Sequence, residues 1–264
     1  MSAKGPPSYA SAVCHARDLI TELQIQDPAE IVIERIAPYK HAPVRYAALE
    51  GCDGRMVRTN DTAIITVNSS IIRAGQRRFV IAHELGHVLL HPKICQIDEV
   101  DSKQTRNFGH NQKPEELEAN YFAAELLMPK VFFQKDVSGL EPSWASIRSL
   151  ATKYQTTLTS TAIQFLHCAK EPLFLIASES GERKWFAFND HVQGFFLNDS
   201  FRVHGYTCAN ELFDKDITQS RAKVPAGAWF DSFDPNGKEC ITEDSMRATG
   251  SPFVLSLLWV SEDI

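Results

Sequence analysis

The chain has 264 residues, 44% of them hydrophobic, and a formal net charge of −6, so it can bury a sizeable core and by length holds two domains. The acidic balance argues against a general attraction to nucleic acid. No apolar run reaches the roughly 18 residues needed to cross a membrane, residues 1–7 lack the apolar core of a secretory signal, and six scattered cysteines without metal-knuckle spacing suggest a reducing compartment, so a cytoplasmic protein is expected.

Residues 8–24 have helical spacing, with Ala12, Ala16, Leu19 and Leu23 on one side. Pro28 opens a second helix running through Ile36. Residues 44–49, 55–59 and 63–68 read as three strands, and Gly51-Cys52-Asp53-Gly54 supplies turn chemistry between the first two. The edge of such a sheet could pair with an extended peptide backbone.

Residues 77–91 return to helical spacing and contain His83-Glu84-Leu85-Gly86-His87. Histidines four apart on a helix point the same way, so their ring nitrogens can hold one zinc ion. Glu84, beside the first histidine, is then placed to take a proton from a water at the metal. Phe79, Ala82, Gly86, Leu89 and Leu90 form an apolar stripe, with Val80, His83, Glu84, His87 and His91 on a different side. The glycine costs helix propensity and makes sense if another element approaches closely there. The bland alternative is an amphipathic helix with solvated histidines. Beyond it, Cys95 lies eight residues past His87. It is either a small buried residue or an inhibitory thiolate ligand that folds back onto zinc and holds an enzyme latent.

Residues 114–129 begin and end on proline, with acidic residues in the first turn, which frames one helix. Glu116, Asn120, Ala123 and Leu127 share a face. An inward Glu116 would complete a three-ligand His-His-Glu site with one open position, the arrangement of catalytic zinc. Asn120, one turn on, could hydrogen-bond a ligand histidine. Glu118 is the fallback ligand, and a solvated acidic face is the alternative for Glu115, Glu116 and Glu118 alike. His91, His110 and Tyr121 are the nearest candidates for a donor to a developing oxyanion, none of them singled out.

Residues 144–153 and 158–170, joined by Gln155-Thr156-Thr157, have a helix-turn-helix outline. The second helix holds no Lys or Arg before Lys170, so direct DNA binding is not expected and a structural or docking role is favoured. From about Pro172 the pattern turns to strands. Ser180-Gly181 marks a hairpin, and residues 253–260 read as a buried strand. This part is either a sensor or a stabilising cap.

His83-Glu84-Leu85-Gly86-His87, followed about thirty residues later by Glu116-Leu117-Glu118-Ala119-Asn120-Tyr121-Phe122-Ala123-Ala124-Glu125-Leu126-Leu127-Met128-Pro129, resembles the ImmA/IrrE family of zinc metallopeptidases over roughly residues 45–168. The resemblance implies one zinc ion per chain on His83, His87 and Glu116, with Glu84 as general base. It implies as substrate a helix-turn-helix transcriptional repressor, whose cleavage switches on stress, mobile-element or antiphage genes. The expected fold is α+β. A mainly helical, zincin-like peptidase domain with a small three-stranded sheet spans 1–135, a helix-turn-helix-like segment 136–170, and a strand-rich α+β domain 171–264. The competing functions are a zinc-stabilised module that displaces a repressor without cutting it and, more distantly, a zinc enzyme acting on another amide or an ester. Oligomeric state is not legible in the sequence.

Overall fold

A computed structural model describes residues 9–59, 62–92, 96–98, 113–234, 237–248 and 251–259. The fold is α+β and divides into two compact units, one from residues 1–135 and 150–161, the other from 136–149 and 162–264.

In the first unit, helix α1 (Tyr9–Glu22) presents Ala12, Ala16 and Leu19 to the core, the periodicity read from the sequence. The single helix expected from Pro28 to Ile36 is broken. Pro28–Glu30 is a 3-10 turn and α2 spans Ile33–Tyr39. Asp27 caps the turn while the Glu30 carboxylate reaches back to the backbone N–H groups of Gln26 and Asp27. The Ile31 carbonyl, which a continuous helix would use, accepts instead from the buried Arg78 guanidinium at 2.8 Å.

Strands β1 (Val44–Ala47), β2 (Gly54–Thr59) and β3 (Thr62–Asn68) form as expected, and a fourth, β4 (Gln96–Asp98), joins them in the order β1-β3-β2-β4. The addition is backbone pairing of a three-residue strand, too short to show periodicity. Against this sheet lies α3 (Ala74–Leu90), and against α3 lies α4 (Pro114–Leu127). Met56 and Ile65 of the sheet, Ile81 and Leu85 of α3, and Phe122 and Leu126 of α4 join one core with α1 and α2. A helix between a sheet and a second helix is buried all round, so α3 lacks the solvated side that its polar stripe would otherwise require: every residue from Val80 to Val88 is buried.

Helices α5 (Lys130–Val137), α6 (Trp144–Tyr154) and α7 (Leu158–Cys168) follow, α6 and α7 joined by the expected three-residue turn. The second unit is built on a five-stranded antiparallel sheet of β5 (Leu173–Glu179), β6 (Glu182–Phe188), β7 (Gln219–Pro225), β8 (Cys240–Arg247) and β9 (Val254–Trp259), ordered β6-β5-β9-β8-β7. Ser180 and Gly181, with φ of 51° and 76°, make the hairpin turn between β5 and β6. Helix α8 (Cys208–Asp214) covers the sheet with Trp229 and Phe230. Among the described residues, no helix is long and apolar enough to cross a membrane.

Candidate metal centre

Helix α3 carries His83 and His87 one turn apart, and α4 brings Glu116 to them. The approach depends on Gly86. A Cβ there would lie 3.1 Å from Phe122 Cδ1 and 3.2 Å from the Ala119 Cα, so the Phe122 ring and the α4 backbone would have to give by a few tenths of an ångström. His83, Glu84 and His87 are fully buried, which excludes an amphipathic helix with solvated histidines.

The three ligand groups form a small triangle. His83 Nε2 and His87 Nε2 are 3.0 Å apart, and the Glu116 carboxylate oxygens lie 3.2 Å from the first and 3.4 Å from the second. Tetrahedral ligands about 2.0–2.1 Å from one zinc are about 3.4 Å from each other. Two imidazoles and one carboxylate are also the donor set of catalytic zinc. Among the described residues this is the one cluster of three or more metal-ligating side chains. The residues therefore fit a zinc ion.

Asn120 stands where sequence spacing put it, with Oδ1 2.9 Å from His83 Nδ1. The ring donates its Nδ1 proton to this oxygen, which leaves the Nε2 lone pair facing the triangle. The fallback ligand Glu118 is elsewhere: its Oε2 lies 2.8 Å from His91 Nε2, outside the triangle. His91 in turn sets its Nδ1 3.1 Å from His87 Nδ1, behind that ring. Sequence reasoning weighed His91 and Glu118 separately and missed this pairing. Cys95 and His110 lie outside the described residues. Tyr121 is partly exposed on α4 and stays without an assigned role.

Glu84 is the group whose chemistry is least resolved by the protein itself. Both its carboxylate oxygens are buried and have no hydrogen-bond partner. Strand β2 closes over it so tightly that a Cβ on Gly54 would sit 2.8 Å from Glu84 Oε1 and 2.4 Å from Val80 Cγ1. Burial pushes its pKa up to about 8, the nearby Glu116 charge adding to the rise and His83 opposing it. Burial likewise pulls His87 down to about 4. At His83 burial is outweighed by the Glu116 hydrogen bond and the charges of Glu84 and Glu116, so its pKa rises. The two rings share one carboxylate; the first proton goes to His83 and keeps a second off His87. Glu116 is held well below the usual carboxylate range, its own burial overcome by hydrogen bonds and charge from both rings.

Residues 39–165 match the family model of the IrrE N-terminal-like domain, peptidase M78. No curated protein matches the chain. A Mycobacterium tuberculosis transcriptional regulator of known structure is similar over 94% of this chain and 87% of its own, with a TM-score of 0.60 and 14% sequence identity, a likeness of fold. The matched segment, similar to an IrrE N-terminal-like domain of peptidase M78, holds the whole triangle together with Glu84, His91, Glu118 and Asn120.

Proposed function

We propose that this protein is a cytoplasmic zinc-dependent endopeptidase that cuts one bond in a helix-turn-helix transcriptional repressor. The observation that carries the reading is the donor triangle of His83, His87 and Glu116 beside a buried carboxylate with no partner of its own. Zinc held there would supply Lewis acidity, lowering the pKa of a water and polarising a carbonyl oxygen. Glu84 accepts the proton of the attacking water and returns it to the leaving amine, a task suited to a carboxyl whose burial already favours the protonated form. Asn120 keeps His83 in the tautomer that offers Nε2. Gly54 and the start of β2 shut the Glu84 side against bulk water. The edges of the first sheet are β1 and β4, and an extended substrate backbone would add to one of them.

A repressor as substrate rests on the resemblance to the ImmA/IrrE family. The shared fold with a transcriptional regulator supports a role in gene control, and stress, mobile-element or antiphage genes are the expected targets. In cells carrying a reporter under a helix-turn-helix repressor from the same genome, wild type should raise expression as full-length repressor disappears, while Glu84→Gln should leave both unchanged. Equal derepression by Glu84→Gln would instead establish displacement without cutting.

A further inference from the structure

We infer that His91 and Glu118 are a positioning pair that fixes His87 as a metal ligand, a role that rests on the metal-site reading above. For His87 to offer its Nε2 lone pair to the triangle, its ring proton must sit on Nδ1. That proton points at His91 Nδ1, 3.1 Å away, which must then be bare and accept it. A neutral His91 with a bare Nδ1 carries its own proton on Nε2. There, at 2.8 Å, the Glu118 carboxylate accepts it. Every donor meets an acceptor in this arrangement, and the opposite one fails: a proton on His91 Nδ1 would face the proton on His87 Nδ1, or force His87 to carry its proton on the ligand nitrogen.

The two ligand histidines are thus held by different devices. His83 has a single amide oxygen, Asn120 Oδ1, behind it. His87 has an imidazole backed by a carboxylate, a longer arm that also makes its ring a stronger donor. The arm is shielded, with the His91 side chain 9% and that of Glu118 23% exposed. Both ends of it lie on the two helices that supply the ligands: Glu118 is two residues from Glu116 on α4, and His91 caps α3 one turn beyond His87. The pair therefore ties the ring orientation of His87 to the helix that carries the third ligand.

The test is zinc affinity, measured by competition with a chromophoric chelator on the full-length protein, beside the melting temperature of the metal-free form. His91→Phe and Glu118→Leu should each weaken zinc binding about 10–100-fold. The metal-free melting temperature should change little and the stabilisation produced by zinc should shrink. Glu118→Gln keeps an acceptor for the His91 proton and should recover most of the affinity. Unchanged zinc affinity in both His91→Phe and Glu118→Leu would overturn the inference while leaving the metal site standing. A wild-type protein that takes up no zinc would overturn both. Should the variants fold poorly, long-range 15N–1H couplings of the zinc-loaded wild type decide the matter: a His91 proton on Nε2 supports the pair, and one on Nδ1 overturns it.

Discussion

His83, Glu84 and His87, all buried, and the partly buried Glu116 crowd charge-bearing groups into one site, and their proton affinities diverge as a result. The stability of the metal-free protein should record this. His87, lowered to about 4 from an ordinary 6.5, makes stability rise with pH between those values, because the unfolded chain binds the proton more readily. Glu84, raised from 4.5 to about 8, acts in the opposite sense, since the folded state then holds a proton that the unfolded chain has released. The two effects oppose each other up to pH 6.5. Above it only the falling contributions remain, from Glu84 and from the raised His83. Metal-free protein should lose on the order of 2 kcal/mol between pH 6.5 and 8, at about 1.4 kcal/mol per unit for one proton. Urea denaturation at both pH values checks this. Glu84→Gln should reduce the loss, and a curve for the variant parallel to wild type would refute the assignment.

At the scale of elements, the meeting of α3 with α4 decides whether a site exists, and much of that meeting was legible. Four-residue spacing placed His83 with His87, shared-face spacing placed Glu116 with Asn120, and Gly86 signalled a close approach that the Phe122 and Ala119 distances now explain. The pairing of His91 with Glu118 was not legible. His91 stands just past the end of α3, where helical periodicity no longer says which way a side chain points. The break after Glu30 escaped for a related reason, because the group that takes the Ile31 carbonyl is Arg78, far along the chain. Gly86→Ala gains about 1 kcal/mol of helix propensity. Its Cβ must displace a buried ring and a backbone atom, an overpacking cost of about 1–3 kcal/mol. The variant should therefore be less stable in urea and bind zinc more weakly, because α4 carries Glu116 outward. Wild-type zinc affinity in Gly86→Ala would show that the helix separation is not what sets the triangle.

Across the whole molecule, the first unit carries all the chemistry assigned here and the second is held by polar contacts that no local pattern announces. The Ser180-Gly181 hairpin was readable because two adjacent positions need positive φ. The buried carboxylate of Glu243 was not, since besides the nearby Ser245 hydroxyl it accepts from the Trp229 indole and the Ala209 N–H, groups remote in sequence. Asp244, on the same strand, accepts from the backbone N–H of Trp144 at 2.9 Å, while its carbonyl accepts from the Trp144 indole at 2.7 Å. This bonds residues 136–149 into the second unit. Asp244→Ala leaves the buried Trp144 N–H unmet and should cost about 1–3 kcal/mol. The loss should appear in the melting of the second unit, read by Trp144 fluorescence, with zinc affinity unchanged.

The central claim, that Glu84 and a zinc ion on His83, His87 and Glu116 hydrolyse a peptide bond, is tested most directly by mass. The purified protein is incubated with helix-turn-helix repressors encoded in the same genome, with and without chelator, and in parallel as Glu84→Gln. Two fragments should appear whose masses sum to the intact repressor plus one water, and both chelator and Glu84→Gln should abolish them while Glu84→Gln still binds zinc. Fragments that persist in both conditions, or an intact repressor released from its operator equally well by wild type and Glu84→Gln, would contradict it.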